Sequence, residues 1–237
     1  MPEANLGATS NRLLSLLTEE ERTRLEPHLQ FVTLNQGDLI FEAGEPARRV
    51  FFPESGVVSV VCTSAEGLSV EIGMVGCEGM AGLSVVLGDG ETANRRAVMQ
   101  VAGEGFLLDS DELRRELEQC GNFQRVLLRY AQGYLSFVAQ SVFCQAFHGI
   151  DERLARWLIE CGHRAKSDEL HLTQEYVAEV IGVRRSGVTE ALGRLKEKGL
   201  VGLARGAVTI LDARGLEEAS CECSRVIRSE FVRLFGT

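Results

Sequence analysis

The chain has 237 residues, of which 45% are hydrophobic and 25% charged, and its formal net charge at pH 7 is −9. This is the ordinary balance of a globular protein with one large or two modest domains. The longest apolar runs fall far below the roughly 20 residues that span a bilayer, which argues against an integral membrane protein. The N-terminus has no basic segment followed by an apolar block, which argues against secretion. We therefore predict a cytoplasmic protein.

The charge is unevenly distributed along the chain. Residues 1–150 contain 11 Lys and Arg against 20 Asp and Glu, whereas residues 184–205 contain 6 against 2. For binding to nucleic acid, a local basic surface matters more than the net charge of the whole chain. An acidic body with one basic segment is the pattern expected of a DNA-binding element joined to a domain with another task.

The first half of the chain changes from a helical to a strand pattern. Residues 10–29 are predicted to form short helices, and Thr18 followed by Glu21 has the spacing of a capping box. From residue 31 to 109 short β-favouring runs alternate with glycines, the runs being FVTL, DLIF, RVFF, VVSVVC, SVEIGMV, AVMQVA and GFLLD. No helical period lies between them, which argues against parallel βαβ units. The pattern predicts an antiparallel β-barrel or roll.

Two neighbouring rows of mostly apolar residues run through the segment after residue 121, and both follow a helical period. The first row is Phe123, Leu127, Tyr130, Tyr134, Phe137, Ser141 and Cys144. The second row is Leu128, Ala131, Leu135, Val138 and Val142. Two adjacent rows make a face too wide to be covered by the rest of one chain, which favours a dimerisation helix over an ordinary buried helix. We expect the first row, from Phe123 to Ser141, to form the dimer interface.

The remaining boundaries follow from helix-breaking and capping residues. His148-Gly149 is predicted to end the long helix, with Gly149 as a hinge. Residues 212–235 are predicted to form one last helix, capped by Asp212, that covers either the dimer or the DNA-binding domain. The predicted units are a sensor domain (1–120), a dimerisation helix (121–147), a DNA-binding domain (148–211) and a C-terminal helix (212–237).

The cysteines are not expected to form disulfides or a metal site. The chain has 7 of them, an odd number, and no secretory signal, which favours reduced thiols. Cys221 and Cys223 resemble a ligand pair, but two residues apart on a helix they point about 200° apart. Cys161 and His163 meet the same objection, and the other histidines are scattered. We therefore predict no metal ligands in this chain.

Residues 172–201 carry the most specific pattern, that of a helix-turn-helix. Thr173 is a good N-cap for a first short helix, and Gly182 supplies the left-handed conformation of a tight turn. A second helix follows whose inward residues are Val188, Leu192 and Leu195. Its outward residues at the N-terminal end, which is the part that enters a major groove in such motifs, are Arg184, Arg185, Ser186, Thr189 and Glu190.

Each outward residue has a plausible partner on DNA. Arg185 can bind guanine O6 and N7 in a bidentate fashion, worth about 1–3 kcal/mol of discrimination, and Glu190 can accept a hydrogen bond from the cytosine amine. Two predicted strands, 200–203 and 207–211, form a wing with Arg205 at its tip. The plainer alternative is a helical hairpin with a solvated basic face. The predicted DNA-binding residues are Thr173, Arg184, Arg185, Ser186, Thr189, Glu190, Lys196, Lys198 and Arg205.

The chain resembles the Crp/Fnr family of regulators, because it has a predicted β-roll, a long helix and a winged helix-turn-helix in this order. The resemblance covers residues 25–211 and rests on GDLIFEAGEPARRVFF at 37–52, on GCEGMAGLSVVLG at 76–88 and on the turn and helix at 182–192. It implies an α+β fold with a cyclic-nucleotide-binding-like roll, and a homodimer joined along the long helix. It also implies double-stranded DNA as a partner, and RNA polymerase as a second partner if the protein activates transcription.

The resemblance also places an effector site in the roll. Where cyclic-AMP-binding members carry a Gly-Glu pair and an Arg-Ser pair, this chain has Gly79-Met80 and Arg95-Arg96. Met80 cannot accept a hydrogen bond from a ribose hydroxyl, which argues against cyclic AMP, but backbone N–H groups and arginines can hold another anion. The alternative is that both arginines are merely exposed charges. The predicted effector residues are Gly79, Met80, Ala81, Gly82, Leu83, Arg95 and Arg96.

The identity of a cofactor stays open from the sequence. No cysteine precedes Cys62, whereas iron–sulfur members of the family carry an N-terminal cysteine cluster, and we find no haem signature either. An enzyme built on the roll would need converging histidines and carboxylates, yet residues 31–109 contain no histidine. A sensor module that regulates a protein partner is the remaining alternative, and salt-dependent DNA binding would distinguish it from a DNA-binding regulator.

Overall fold

The computed structural model describes residues 6–91 and 94–236. The N-terminal segment is helical as predicted, with α1 at Arg12–Ser15 and α2 at Glu19–Leu25. Thr18 caps α2, and the Glu21 side chain accepts a hydrogen bond from the backbone N–H of Thr18, which completes the predicted capping box. A short 3-10 turn at Glu26–His28 then leads into the first strand.

Seven antiparallel strands form the predicted β-roll. They are β1 (Gln30–Leu34), β2 (Leu39–Phe41), β3 (Arg49–Pro53), β4 (Val57–Thr63), β5 (Ser69–Val75), β6 (Arg95–Val101) and β7 (Gly103–Asp109). One sheet has the order β1-β7-β3 and the other β2-β6-β4-β5. Phe51, Val58 and Met99 are fully buried between the sheets, so the roll has a core of its own. A short helix, α3 (Ser84–Leu87), lies between β5 and β6.

The long helix α5 (Asn122–Phe147) follows α4 (Ser110–Glu118) and has 26 residues. The first apolar row was predicted to face a second copy of the chain, but in the structure it faces the chain's own core. The first row packs against its own chain, because Phe123 and Leu127 are buried in one core with the N-terminal helices and the roll. In the second row Leu135 is 69% exposed and Val142 65% exposed. The assignment of Phe123, Leu127, Tyr130, Tyr134, Phe137 and Ser141 to a dimer interface is therefore wrong.

This correction has a simple cause. Both rows satisfy the helical period, and the period alone does not say which row meets the chain's own core. The large aromatic residues of the first row fill the space between the roll and the C-terminal helices. In the second row Ala131 is buried and Val138 partly buried, while the larger Leu135 and Val142 remain outside. Leu128, at 48% exposure, completes an exposed strip with Leu135 and Val142 that we call the outer strip.

The winged domain follows a break at His148-Gly149, as predicted. It consists of α6 (Ile150–Ala165), β8 (Glu169–Leu170), α7 (Gln174–Ile181), α8 (Arg185–Glu197), β9 (Val201–Ala204) and β10 (Ala207–Ile210). The small sheet has the order β8-β10-β9, and β8 is an element that the sequence pattern did not reveal. Leu154, Val188 and Leu192 lie in its buried core.

The C-terminal segment is two helices rather than the single one predicted. Asp212 caps α9 (Ala213–Ala219), as expected, but α9 ends at Ser220 and α10 begins at Cys223 and runs to Phe235. Cys221 therefore lies in the break, and the argument that Cys221 and Cys223 diverge on one helix is wrong. Along α10, Phe231 and Leu234 pack close to Gly133 of α5, so this helix lies on the long helix. No helix in the described part of the chain is long and apolar enough to cross a membrane.

Candidate nucleic-acid interface and its link to the roll

The turn between α7 and α8 has the local geometry that the sequence predicts. The Thr173 hydroxyl accepts a hydrogen bond from the backbone N–H of Tyr176 at 3.1 Å and so caps α7. Gly182 has φ of 70°, the left-handed conformation in which a side chain is penalised. Arg184 is the N-cap of α8 and its side chain makes no capping bond, which leaves the guanidinium free to face outward.

All nine side chains predicted to bind DNA are exposed. They are Thr173, Arg184, Arg185, Ser186, Thr189, Glu190, Lys196, Lys198 and Arg205. The guanidinium groups of Arg184 and Arg185 make no hydrogen bond or ion pair within the described residues. Val188 and Leu195, on the opposite side of α8, are buried. The helix therefore presents a basic N-terminal end on an apolar base, which is the arrangement that a recognition helix needs.

Two residues that sequence reasoning missed position this surface. The Thr189 hydroxyl lies 2.8 Å from Oε1 of Gln174, which connects the first residue of α7 to the recognition helix. Arg194 forms a bidentate pair with Asp151 at 2.7 and 2.6 Å and thereby joins α8 to the start of α6. Arg194 also lies 3.8 Å from Glu190. No local sequence signal identifies either residue, because both interactions cross between helices.

The wing is a two-stranded ribbon as predicted. Strands β9 and β10 pair antiparallel, with Ala204 opposite Ala207, and Arg205-Gly206 forms the connection. Gly206 has φ of 75°, which a two-residue turn of this kind requires and which favours glycine. Arg205 is exposed at the tip, so its guanidinium is available to a phosphate.

The predicted effector residues only partly converge. Five of them line one small cavity in the roll, namely Met80, Ala81, Gly82, Leu83 and Arg95. The cavity has a volume of about 30 Å³, which is room for about one water molecule. Tyr134 of α5 also lines it, and its hydroxyl is buried without a hydrogen-bond partner in the described chain. Burial raises the pKa of Tyr134, so the hydroxyl is neutral and available to a ligand.

Backbone N–H groups in the glycine-rich turn are less available than predicted. The N–H of Ala81 donates to Phe51 O at 2.8 Å, and that of Gly79 donates to Gly76 O at 3.1 Å. Gly79 lies against the ring of Tyr130, whose hydroxyl donates to the Met80 carbonyl at 3.1 Å. The prediction that Gly79 and Ala81 offer free N–H groups to an anion is therefore wrong, because both groups are engaged in internal hydrogen bonds.

Arg96 does not belong to the cavity. Successive side chains on a strand point to opposite faces, so Arg95 faces the cavity while Arg96 faces away from it. The Arg96 guanidinium lies 2.8 Å from Oε1 of Glu179 on α7. The prediction that the two arginines act as a pair on one ligand is wrong, and Arg96 instead connects the roll to the helix-turn-helix.

Comparison with known proteins agrees with this architecture. Residues 31–120 match the family described as Cyclic nucleotide-binding domain, and residues 152–219 match the Crp-like helix-turn-helix domain. The chain belongs to the Crp/Fnr family. It is similar to the CRP-like cAMP-activated global transcriptional regulator of Mycobacterium tuberculosis, with 26% identity over 200 residues, 81% of this chain and 88% of that protein. It is also similar to the global nitrogen regulator of Synechococcus elongatus, with 23% identity over 219 residues, 89% of this chain and 98% of the relative.

Solved structures share the fold. A putative Crp/Fnr-family transcriptional regulator from Eubacterium rectale superposes with a TM-score of 0.71 at 19% identity, over 91% of this chain and 99% of that one. FixK2 from Bradyrhizobium japonicum superposes with a TM-score of 0.67 at 17% identity, over 81% of this chain and 98% of that one. This Crp/Fnr chain is thus a transcriptional regulator with a helix-turn-helix DNA-binding domain and a cyclic-nucleotide-binding domain.

Buried polar interactions join the two domains of this Crp/Fnr protein. The indole N–H of Trp157 on α6 donates to Glu71 of β5 at 3.0 Å, and the Ser59 hydroxyl donates to the other oxygen of the same carboxylate. Burial raises the pKa of Glu71 to about 7, and these two hydrogen bonds oppose that rise only in part. The interface between roll and winged domain therefore contains a carboxyl group that titrates near neutral pH.

Proposed function

We propose that this chain is a sequence-specific DNA-binding transcriptional regulator that acts as a homodimer in the cytoplasm. The observation that carries the proposal is the outward end of α8, where Arg184 and Arg185 are exposed and have no partner in the described chain. Arginines at this position of such motifs reach base edges in the major groove, and we propose that the exposed Lys196, Lys198 and Arg205 contact phosphates. Residues 31–109 contain no histidine, and we propose no enzymatic activity.

The outer strip of α5 supports the dimer. Leu128, Leu135 and Val142 are spaced by seven residues and exposed in the single chain, as expected for a helix that packs along the same helix of a second copy. Phe143 and Phe147 extend this apolar surface toward the hinge, with exposures of 44% and 73%. A dimer joined here would present two recognition helices to a palindromic site, with half-site centres roughly 34 Å apart.

We propose that the roll is the domain that binds an effector. Its cavity of about 30 Å³ is too small for a nucleotide, so we propose that a small anionic effector, held by Arg95 and the Tyr134 hydroxyl, enlarges it on binding. Because Tyr134 belongs to the long helix, a ligand in the cavity would act directly on the dimer. RNA polymerase is the further partner we propose if the protein activates transcription.

Selection from a random duplex library at two salt concentrations tests the proposal. The natural chain should enrich a palindrome, and Arg185→Ala should relax the preference at one base pair in each half-site. Arg214→Ala is the matched control, because Arg214 is an 89% exposed arginine on α9, away from α8. The proposal is contradicted if neither the natural chain nor Arg214→Ala enriches any sequence and neither shows salt-dependent DNA binding. That result would favour a module that regulates a protein partner.

A further inference from the structure

Four potential metal ligands converge where the long helix ends. Cys144 lies near the end of α5, His148 directly after it, Cys221 in the break between α9 and α10, and Cys223 at the start of α10. Their ligand atoms all lie within 4.8 Å of one another. The Sγ atoms of Cys144 and Cys221 are 3.5 Å apart, and Sγ of Cys223 is 3.4 Å from Nδ1 of His148.

The separations of 3.5 and 3.4 Å are close to those between neighbouring ligands of one tetrahedral ion. With zinc–sulfur distances of about 2.3 Å and zinc–nitrogen distances of about 2.0 Å, neighbouring ligand atoms lie roughly 3.5–3.8 Å apart. Cys144 and His148 are four residues apart at the helix end, so they project from the same side. The break before α10 frees Cys221 from the helix and allows both cysteines of the Cys-Glu-Cys segment to turn toward that side. All three thiols are free and buried.

The surroundings are also those of a metal site. Nε2 of His148, the ring nitrogen away from the Cys223 sulfur, lies 3.4 Å from a carboxylate oxygen of Glu222. Metal-bound histidines usually direct their second nitrogen to such a carboxylate, which orients the ring. The amide of Gln140 donates to the Cys223 sulfur at 3.1 Å. Sulfur atoms that accept hydrogen bonds are suited to carry negative charge.

Positive charge lies close by. Three thiolates, one neutral imidazole and one divalent ion carry a net charge of −1, which needs compensation in a buried place. Arg153 and Arg156 of α6 line a small cavity together with Cys144. Two guanidinium nitrogens of Arg156, Nε and Nη1, are buried and have no hydrogen-bond partner in the described chain. These nitrogens could therefore offset the negative charge of a thiolate-bound ion.

We propose that Cys144, His148, Cys221 and Cys223 bind one Zn²⁺ ion in each chain. Three thiolates and an imidazole are soft and borderline ligands that suit zinc, whereas Mg²⁺ and Ca²⁺ prefer oxygen ligands. Four protein ligands complete the tetrahedron and leave no open position, so the site is structural rather than catalytic. Ligand atoms this close fit a single ion, because a cluster of several irons spreads its ligands farther apart.

The ion would fix the hinge between the two halves of the protein. It would hold the end of α5, the residue before Gly149 and the start of α10 together in one place. One turn into α6, the Arg153 guanidinium donates to the carbonyl of Ile181 at the end of α7. Zinc at this site would therefore set the direction in which the winged domain leaves the long helix, whatever the DNA sequence that it binds.

The experiment measures metal in the full-length protein, purified with reductant, stripped with a chelator and then loaded with Zn²⁺ or Co²⁺. We expect one Zn²⁺ per chain by elemental analysis after desalting. We also expect the visible bands of tetrahedral Co²⁺ together with sulfur-to-cobalt charge transfer. Cys221→Ser and His148→Gln should lose tight binding, and Glu222→Gln should weaken zinc affinity by about 10–100-fold. The control is Cys120→Ser, which changes an exposed cysteine outside the cluster and should bind zinc normally.

Each result decides the proposal. Circular dichroism of every variant ensures that lost binding does not reflect an unfolded chain, and Glu222→Gln leaves all four ligands in place. Stoichiometric binding that Cys120→Ser keeps and Cys221→Ser loses supports the site. A reduced, folded natural chain that takes up no zinc, or a zinc content unchanged by Cys221→Ser, overturns it. The proposal is also overturned if non-reducing mass spectrometry shows a Cys144–Cys221 disulfide and the reduced chain binds no zinc. Because DNA binding is not the readout, this result is independent of the proposed function.

Discussion

Nε of Arg164 lies 2.8 Å from Oε1 of Glu78, and this ion pair joins the winged domain to the glycine-rich turn of the roll. Arg164 also pairs with Glu160 on its own helix, and its guanidinium lies 5.6 Å from the centre of the Phe137 ring of α5. The roll, the long helix and the winged domain thus meet at one buried arginine. A movement of the glycine-rich turn, next to the proposed effector cavity, would be transmitted to α6 through this ion pair.

Arg164→Met should be strongly destabilising. Methionine keeps much of the packing on Phe137 but leaves the buried carboxylate of Glu160 and the partly buried one of Glu78 without their positively charged partner. Breaking a buried ion pair from one side costs about 3–5 kcal/mol. Urea unfolding should show this decrease in the free energy of unfolding. The matched control is Arg214→Met at an exposed pair with Glu218, expected to change stability by less than about 1 kcal/mol. Equal effects of the two substitutions would contradict a structural role for Arg164.

Glu71 should make stability depend on pH near neutrality. Burial raises its pKa in the folded chain from an ordinary 4.5 to about 7. Because the folded state then holds the proton more tightly than the unfolded state, this group favours folding at low pH. That contribution disappears as pH rises from about 4.5 through about 7. Glu71→Gln, which keeps a group that can hydrogen-bond Ser59 and Trp157, should remove the dependence.

The measurement is the free energy of unfolding from about pH 5 to about pH 8 in urea, a range that brackets the raised pKa. With rising pH, the free energy of unfolding of Glu71→Gln should increase relative to that of the natural chain, by up to about 3 kcal/mol. Glu179→Gln is a control at the same interface, since Glu179 is partly exposed and paired with Arg96. A difference between Glu71→Gln and the natural chain that stays constant across this range would argue against a titrating carboxyl group at the interface.

The parts of this protein that the sequence predicted are those set by local chemistry. Thr173 caps α7 and Gly182 adopts a left-handed turn because of interactions with their chain neighbours, and these signals located the helix-turn-helix. Strand alternation and glycine turns likewise located the roll. The exposure of Arg185, Ser186 and Thr189 followed from the helical period of α8, because a short amphipathic helix on a small domain has only one way to face inward.

Features that depend on residues distant in the sequence were missed. Tyr134 and Leu135 are adjacent on α5, and only the packed structure shows that the first lines the roll cavity while the second is exposed. The break at Ser220 lacks a glycine or proline, so the local pattern predicts a continuous helix. After the break, α10 packs on α5, a contact between segments distant in the sequence. The meeting of Cys144 with Cys221 spans 77 positions, and no local pattern predicts such a pairing.

Leu135→Glu should separate the proposed dimer into monomers. A carboxylate in the middle of the outer strip would be buried against the same helix of the partner, and burying an unpaired charge costs more than such an interface can supply. Sedimentation velocity should show a dimer for the natural chain and a monomer for the variant. Leu68→Glu is a suitable control because Leu68 is 71% exposed on the roll and outside α5. If Leu135→Glu remains dimeric, the interface lies elsewhere.

Lys198 and Arg185 should make separable contributions to DNA binding. A lysine that neutralises a phosphate releases about one counterion, so Lys198→Ala should reduce the slope of log affinity against log salt by about one. It should leave the preferred sequence unchanged. Arg185→Ala should instead cost about 1–3 kcal/mol on the preferred site and little on random DNA, because the variant cannot form the bidentate hydrogen bonds to guanine. Fluorescence anisotropy over a range of salt, with Arg214→Ala as control, measures both quantities. An Arg185→Ala variant that weakens both DNAs equally would show that Arg185 binds a phosphate and would assign base recognition to the other exposed side chains of α8.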